Sequence, residues 1–145
     1  LEEFPVSVDV YQRVVQELSE ALGLSGGAEL AQSGHLELGE TTVGLLHDAD
    51  TTPDTLFLYF DLGPISRDQR ERVHEAMLRS NLRPDAEAFG HFGLHPVTSH
   101  AAWLVRIRGL DALRGSDLAS FLANQIAGLQ GWMDRVLEPL RESAA

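Results

Sequence analysis

Residues 56–65, Leu-Phe-Leu-Tyr-Phe-Asp-Leu-Gly-Pro-Ile, constrain the fold more than any other stretch. Apolar side chains at nearly every position predict a strand covered on both faces. Gly63-Pro64 stops it. Ser66 and Gln69 then match a capping box, which predicts a helix over 67–82. Val73, Ala76, Met77 and Ser80 share one face of that helix, and Pro84 lies just past its end. A central strand feeding an amphipathic helix builds a core and carries no catalytic signature.

The flanking sequence supplies elements for that unit to pack against. A first helix is predicted over 5–24, with Asp9 and Gln12 as candidate caps and Tyr11, Val14, Val15, Leu18 and Leu22 on one face. That stripe suits either core or an exposed binding surface. Gly23 and Gly26-Gly27 end it. Two alternating runs, 35–39 and 41–47, are separated only by Gly39-Glu40 and predict an antiparallel hairpin. Residues 48–54 and 83–87 read as loops. Strands are expected over 55–62, 89–95 and 102–108, the last with Trp103, Val105 and Ile107 on one face. A final helix over 117–137 carries a stripe from Leu118 through Val136 to Leu140, and Pro139 marks its end or a kink. The predicted fold is α+β, a single domain over 1–145 in the order α-βββ-α-ββ-α, with a twisted, mostly antiparallel sheet flanked by helices.

A chain of 145 residues is one domain in size and buries roughly 70% of its unfolded surface, so it needs no metal or disulfide to hold it together. It has no cysteine, which excludes thiolate zinc sites, disulfides and thiol catalysis. All eleven basic residues are arginine, so the phosphate-loop and Schiff-base lysines are missing too. A net charge of −11 disfavours nucleic acid and anionic membranes as partners, and favours basic or mixed-charge polypeptides. Glu2 and Glu3 stand where a signal peptide would be basic, and no apolar run is long enough to span a membrane.

Enzymatic signals are weak. Residues 56–61 resemble a Walker B strand, but no phosphate-cradling loop with its lysine accompanies it. His91 and His95 would lie about 13 Å apart on one strand face, too far to share a metal. His100 could fold back towards one of them. Gly-x-Ser-x-Gly and the EF-hand spacing are absent. These readings leave no catalytic, cofactor or metal residue to assign. A small metal-dependent hydrolase using Asp61 with His91 or His95 is the alternative.

The ordered features of the second half carry a resemblance. They are the 56–65 strand ending in Leu-Gly-Pro-Ile, the helix closing Ala76-Met77-Leu78-Arg79-Ser80-Asn81, then Phe92-Gly93-Leu94. The Trp103-Leu104-Val105-Arg106-Ile107 strand and a long helix after Leu110-Asp111 complete the set. In this order the chain resembles the class I chaperones of bacterial type III secretion, the Tir-chaperone family. The 96–100 connection departs from the acidic, glycine-bearing turn common in that family.

The resemblance implies a non-enzymatic, cofactor-free cytoplasmic homodimer in bacteria. Such a dimer binds the N-terminal segment of a secreted effector, keeps it partly unfolded and presents it to the secretion apparatus. It implies dimer contacts at Val73, Met77 and Trp103, and cargo contacts at Leu18, Leu22, Leu36, Leu38, Val43 and Leu45. Each of these residues suits plain core equally well. A related-fold interaction module outside secretion is the third reading.

Overall fold

The computed structural model describes residues 3–82 and 90–143. Its elements are α1 (Glu3–Ala21), α2 (Gly27–Ser33), β1 (His35–Leu38), β2 (Thr41–Leu46), β3 (Thr55–Gly63), α3 (Arg70–Asn81), β4 (Gly90–Leu94), β5 (Ala101–Arg108), α4 (Gly115–Trp132) and α5 (Glu138–Ser143). The strands form one antiparallel sheet in the order β1-β2-β3-β5-β4, with β3 in the middle. The α+β class and the succession of strands and long helices are those expected. The loop expected at 83–87, Pro84 and Phe89 lie outside the described residues.

The sheet is covered on one face, not two. Leu56, Leu58, Phe60 and Leu62 of β3 point inward with Leu36, Val43, Leu45, Phe92 and Val105. Tyr11, Val14, Val15 and Leu18 of α1, Val73 and Met77 of α3, and Leu118, Leu122 and Leu129 of α4 meet them there. The alternate residues Phe57, Tyr59 and Asp61 occupy the opposite face and are only half-buried. Among the described residues no helix covers them. The Arg106 guanidinium lies 5.6 Å over the Phe57 ring, and the His35 and His95 rings flank Tyr59. Neighbouring side chains thus shield apolar groups that the sequence alone assigns to a second packed layer.

Several helix ends differ from expectation. α1 starts at Glu3, so Asp9 and Gln12 lie inside it and do not cap it. Pro5 falls in its first turn, where a missing N–H costs nothing. Gly26-Gly27 does not only stop a helix. Gly26, at φ 100°, turns the chain, and Gly27 opens α2. A Cβ at Gly27 would lie 3.2 Å from the Gln16 Cα and closer still to the Gln16 side chain, so the α1–α2 approach requires glycine there. Ser66 makes no side-chain cap. Gln69 instead donates from Nε2 to the Leu140 carbonyl, tying α3 to the C-terminal helix. After α4 the chain widens into a π-turn over Met133–Leu137, closed by Glu138 N–H donating to the Met133 carbonyl. Pro139 therefore sits in a first turn and neither ends nor breaks the helix.

Two long-range caps lock these pieces together. Asn81 donates from Nδ2 to the Phe92 carbonyl at 3.1 Å and accepts the Phe92 N–H at 2.6 Å. Its amide acts as one rung of a strand and occupies part of the β4 edge. At the other end Gly115 N–H donates to Glu17 Oε1 at 2.9 Å, so α1 caps α4 across 98 residues. That hydrogen bond, followed by the one from Arg13, holds the Glu17 carboxyl below the ordinary glutamate range. A folded-state value lowered in this way stabilises the protein above the unfolded value and loses its effect as pH falls below about 4.3. Glu17→Gln is expected to cost about 1 kcal/mol at pH 7. The difference from wild type should shrink on acidification, as read by urea denaturation at pH 7 and pH 3.5.

Candidate functional site

The nine residues expected to touch cargo or a second subunit divide by burial. Leu18, Leu36, Val43 and Leu45 fill the core of the single chain, as do Val73 and Met77. Each has its apolar surface covered by the chain's own helices, so it supports a surface without forming one. Leu22, Leu38 and Trp103 are partly buried against the same core. Trp103 packs on Phe92 at 4.7 Å and donates from Nε1 to Gln125 Oε1 at 2.8 Å.

What the hairpin does expose is an edge. β1 is a terminal strand of the sheet. The His35 N–H and C=O both turn to Ser33 Oγ, at 3.3 and 3.5 Å, and so point away from β2. In an antiparallel ladder alternate residues point the same way, so the backbone groups of Glu37 also face the free edge. The opposite edge, β4, is partly occupied by Asn81.

A cleft of about 300 Å³ opens along β1, lined by the end of α1, α2 and the strand itself. Its lining includes Leu36 from the inner face of β1 and His35 and Glu37 from the outer face. Contributions from both faces place it at the strand edge. Ser19, only 1% exposed, also lines it, and its Oγ has no hydrogen-bond partner. Glu29, in the first turn of α2, lines it as well. A larger open groove of about 760 Å³ runs between α1 and α2. There the Tyr11 and His47 rings stack at 4.8 Å beside Val8, Ala28 and Ala31. Burial raises the Tyr11 phenol above its usual range.

Ser19, Glu29 and Glu37 are absent from the sequence-based candidates. Ser19 falls beside Leu18 in the apolar stripe of α1, and a hydroxyl so placed was the available signal. Glu29 depends on α2, which two adjacent glycines concealed.

The residues considered for hydrolysis are arranged differently from the expected pairing. Asp61 meets His100, with Nδ1 at 3.1 Å from Oδ1, and also accepts the Gly63 N–H at 2.8 Å. His95 Nδ1 accepts the Val97 and Thr98 N–H groups, shaping the β4–β5 turn. His91 lies elsewhere, in a depression with Leu104, Arg106 and Arg108. The Asp61–His100 pair thus pins the β4–β5 turn to the central strand. Tyr59 Oη lies 2.8 Å from His35 Nε2, and burial followed by the nearby Asp61 charge raises its phenol. Among the described residues no group of three or more His, Asp or Glu could hold a metal ion. No helix among them is long and apolar enough to cross a membrane.

Further exposed apolar side chains lie on α3, just past its end, in β4 and in the β4–β5 turn. Leu78 is 69% exposed, Leu82 88% and Val97 85%, and Leu94 of β4 is also exposed. Arg67, Arg70, Glu71, His74, Glu75 and Arg79 surround Leu78 with mixed charge.

Solved structures share this architecture. A chain of the ExoT–SpcS complex from Pseudomonas aeruginosa is 16% identical, with a TM-score of 0.53 over 84% of this chain and 96% of that one. A chain of the HopA1–SchA chaperone–effector complex is 18% identical, with a TM-score of 0.58 over 92% and 97%. A chain of the ExsC–ExsE complex is 18% identical, with a TM-score of 0.52 over 86% and 92%. At these identities the likeness is one of fold. No curated protein sequence matches the chain. The model of the Tir chaperone protein (CesT) family matches residues 13–133, from the middle of α1 into the π-turn after α4, and the chain belongs to that family.

Proposed function

We propose that this chain is a cytoplasmic, non-enzymatic type III secretion chaperone, one domain over 1–145. It binds the N-terminal segment of a secreted effector in extended form and delivers it to the secretion apparatus. Family membership and the effector complexes among its structural neighbours support the reading. The observation that carries it is the terminal β1 edge beside a cleft, where the outward groups of His35 meet only the Ser33 hydroxyl and those of Glu37 face no strand. An extended segment adds there as a sixth strand through main-chain hydrogen bonds, and the α1–α2 groove accepts apolar side chains that follow. Leu18, Leu36, Val43 and Leu45 hold the floor beneath these surfaces, and Leu22 and Leu38 reach its margins.

The working unit is a homodimer joined through α3 and β4. Val73, Met77 and Trp103 brace that face from inside, and Leu78 and Leu82 supply its contact surface. Sedimentation at micromolar concentration should give about twice the 15.9 kDa chain mass. Glu37→Pro tests the cargo site. It removes an N–H that faces away from β2, so proline is tolerated as on other edge strands while strand addition is blocked. The variant is expected to keep its circular dichroism and dimer mass but to lose co-purification with the N-terminal segment of an effector encoded beside it. Retained co-purification would place the cargo elsewhere.

A further inference from the structure

The two edges of the sheet are closed to different degrees. β4 is a terminal strand among the described residues. Its sequence, Gly-His-Phe-Gly-Leu, holds no carboxylate, arginine or proline, and its pairing with β5 runs without a bulge. Charge, proline and bulges are the usual means by which an edge is kept from pairing with another chain. Here the protection comes from outside the strand. Phe92 gives its N–H and C=O to Asn81, so the Phe92–Trp103 pair exchanges no ladder hydrogen bonds. Alternation then turns the backbone groups of Gly90 and Leu94 to the same edge. Asn81 therefore sits at the middle of three outward positions, and a strand pairing along β4 must displace it.

The β1 edge is held less firmly. Ser33 Oγ meets the His35 N–H at 3.3 Å and its C=O at 3.5 Å, the second at the limit of a hydrogen bond. Asn81 instead matches a separate donor and a separate acceptor to Phe92, at 3.1 and 2.6 Å. One hydroxyl has a single proton to give, whereas the amide satisfies both backbone groups fully.

We propose that Asn81 is an edge guard, whose side-chain amide closes β4 to any added polypeptide strand and so confines strand pairing to β1. The inference goes beyond the proposed function and does not depend on what the chain carries. Without the amide, β4 accepts the edge strand of a second copy. A contact between unlike edges, β1 to β4, repeats from copy to copy without closing.

The test is the sedimentation mass of Asn81→Ala. Asn81 is the last residue of α3, and alanine suits a helix, so the circular dichroism should be unchanged. At about 100 µM the variant should reach at least about twice the wild-type mass, rising with concentration. Hydrogen exchange at the Phe92 amide should quicken by about tenfold or more. Adding Leu94→Pro removes an outward N–H from the opened edge, so the double variant should return to the wild-type mass. A folded Asn81→Ala protein that keeps the wild-type mass overturns the proposal. Assembly that Leu94→Pro leaves in place also overturns it, because the contact then does not run through the β4 edge. Asn81→Ser, whose hydroxyl is too short to serve both groups of Phe92, repeats the measurement with a polar side chain retained. Loss of a cooperative melt in both variants would make Asn81 a residue needed for folding and overturn the guard equally.

Discussion

Leu18→Asp is expected to abolish folding. Leu18 is fully buried on α1, facing the sheet and close to the start of α4. Truncating a core leucine costs about 2–5 kcal/mol through lost burial and the cavity left behind. Placing a carboxylate there adds several kcal/mol of desolvation with no partner to offset it. Together these reach the stability of a whole domain, roughly 5–15 kcal/mol. The variant should lack a cooperative thermal transition, whereas Leu18→Ala should keep one at lower temperature. A folded Leu18→Asp protein that had lost only cargo binding would show that α1 lifts from the sheet, and would return Leu18 to the cargo surface. Val43→Asp should behave as Leu18→Asp does, since Val43 is equally buried.

The second large effect is expected from adding one methyl group. A Cβ at Gly115 would lie 2.3 Å from the Glu17 carbonyl carbon and 2.3 Å from the Leu18 nitrogen. Those are backbone atoms of α1, so no rotamer change relieves the clash. The two helices must separate, and the Gly115 N–H to Glu17 bond lengthens with them. Gly115→Ala should therefore cost about 3 kcal/mol and lower Tm by roughly 10 °C in this 145-residue chain. Gly115→Ala combined with Glu17→Gln should cost less than the sum of the two, because both act on one contact. Stability within 0.5 kcal/mol of wild type for Gly115→Ala would mean that the α1–α4 contact is not rigid.

These variants mark where sequence reasoning succeeded and stopped. The hairpin was legible because Gly39-Glu40 separates two alternating runs, and the register pairs Leu38 with Thr41 across it. The central strand was legible because residues 56–62 are apolar beyond anything a loop tolerates. Its second layer was not. Phe57 and Tyr59 are shielded by Arg106 and His35 from other strands and by His95 from the β4–β5 turn, and no local pattern announces such partners. The Ser66–Gln69 pair fitted a cap by spacing, yet Gln69 found a carbonyl at Leu140. Asp61 was grouped with histidines on the strand after α3, but the turn brings His100 to it.

The sequence by itself determined the class, the strand order along the chain and the family pattern. Those follow from periodicity, stop signals and residue types, which are properties of neighbours in the chain. It also determined that Leu18, Leu36, Val43, Leu45, Val73 and Met77 are apolar residues on apolar faces. Whether such a face meets the protein's own core or a partner depends on what packs over it. Tertiary structure alone decided that these six are covered, that Leu78 and Leu82 are exposed, and that one edge of the sheet is partly capped by Asn81 while the other stands beside Ser19, Glu29 and Glu37. Burial and free backbone groups are set by residues far apart in sequence, and so they become visible only when the chain has folded.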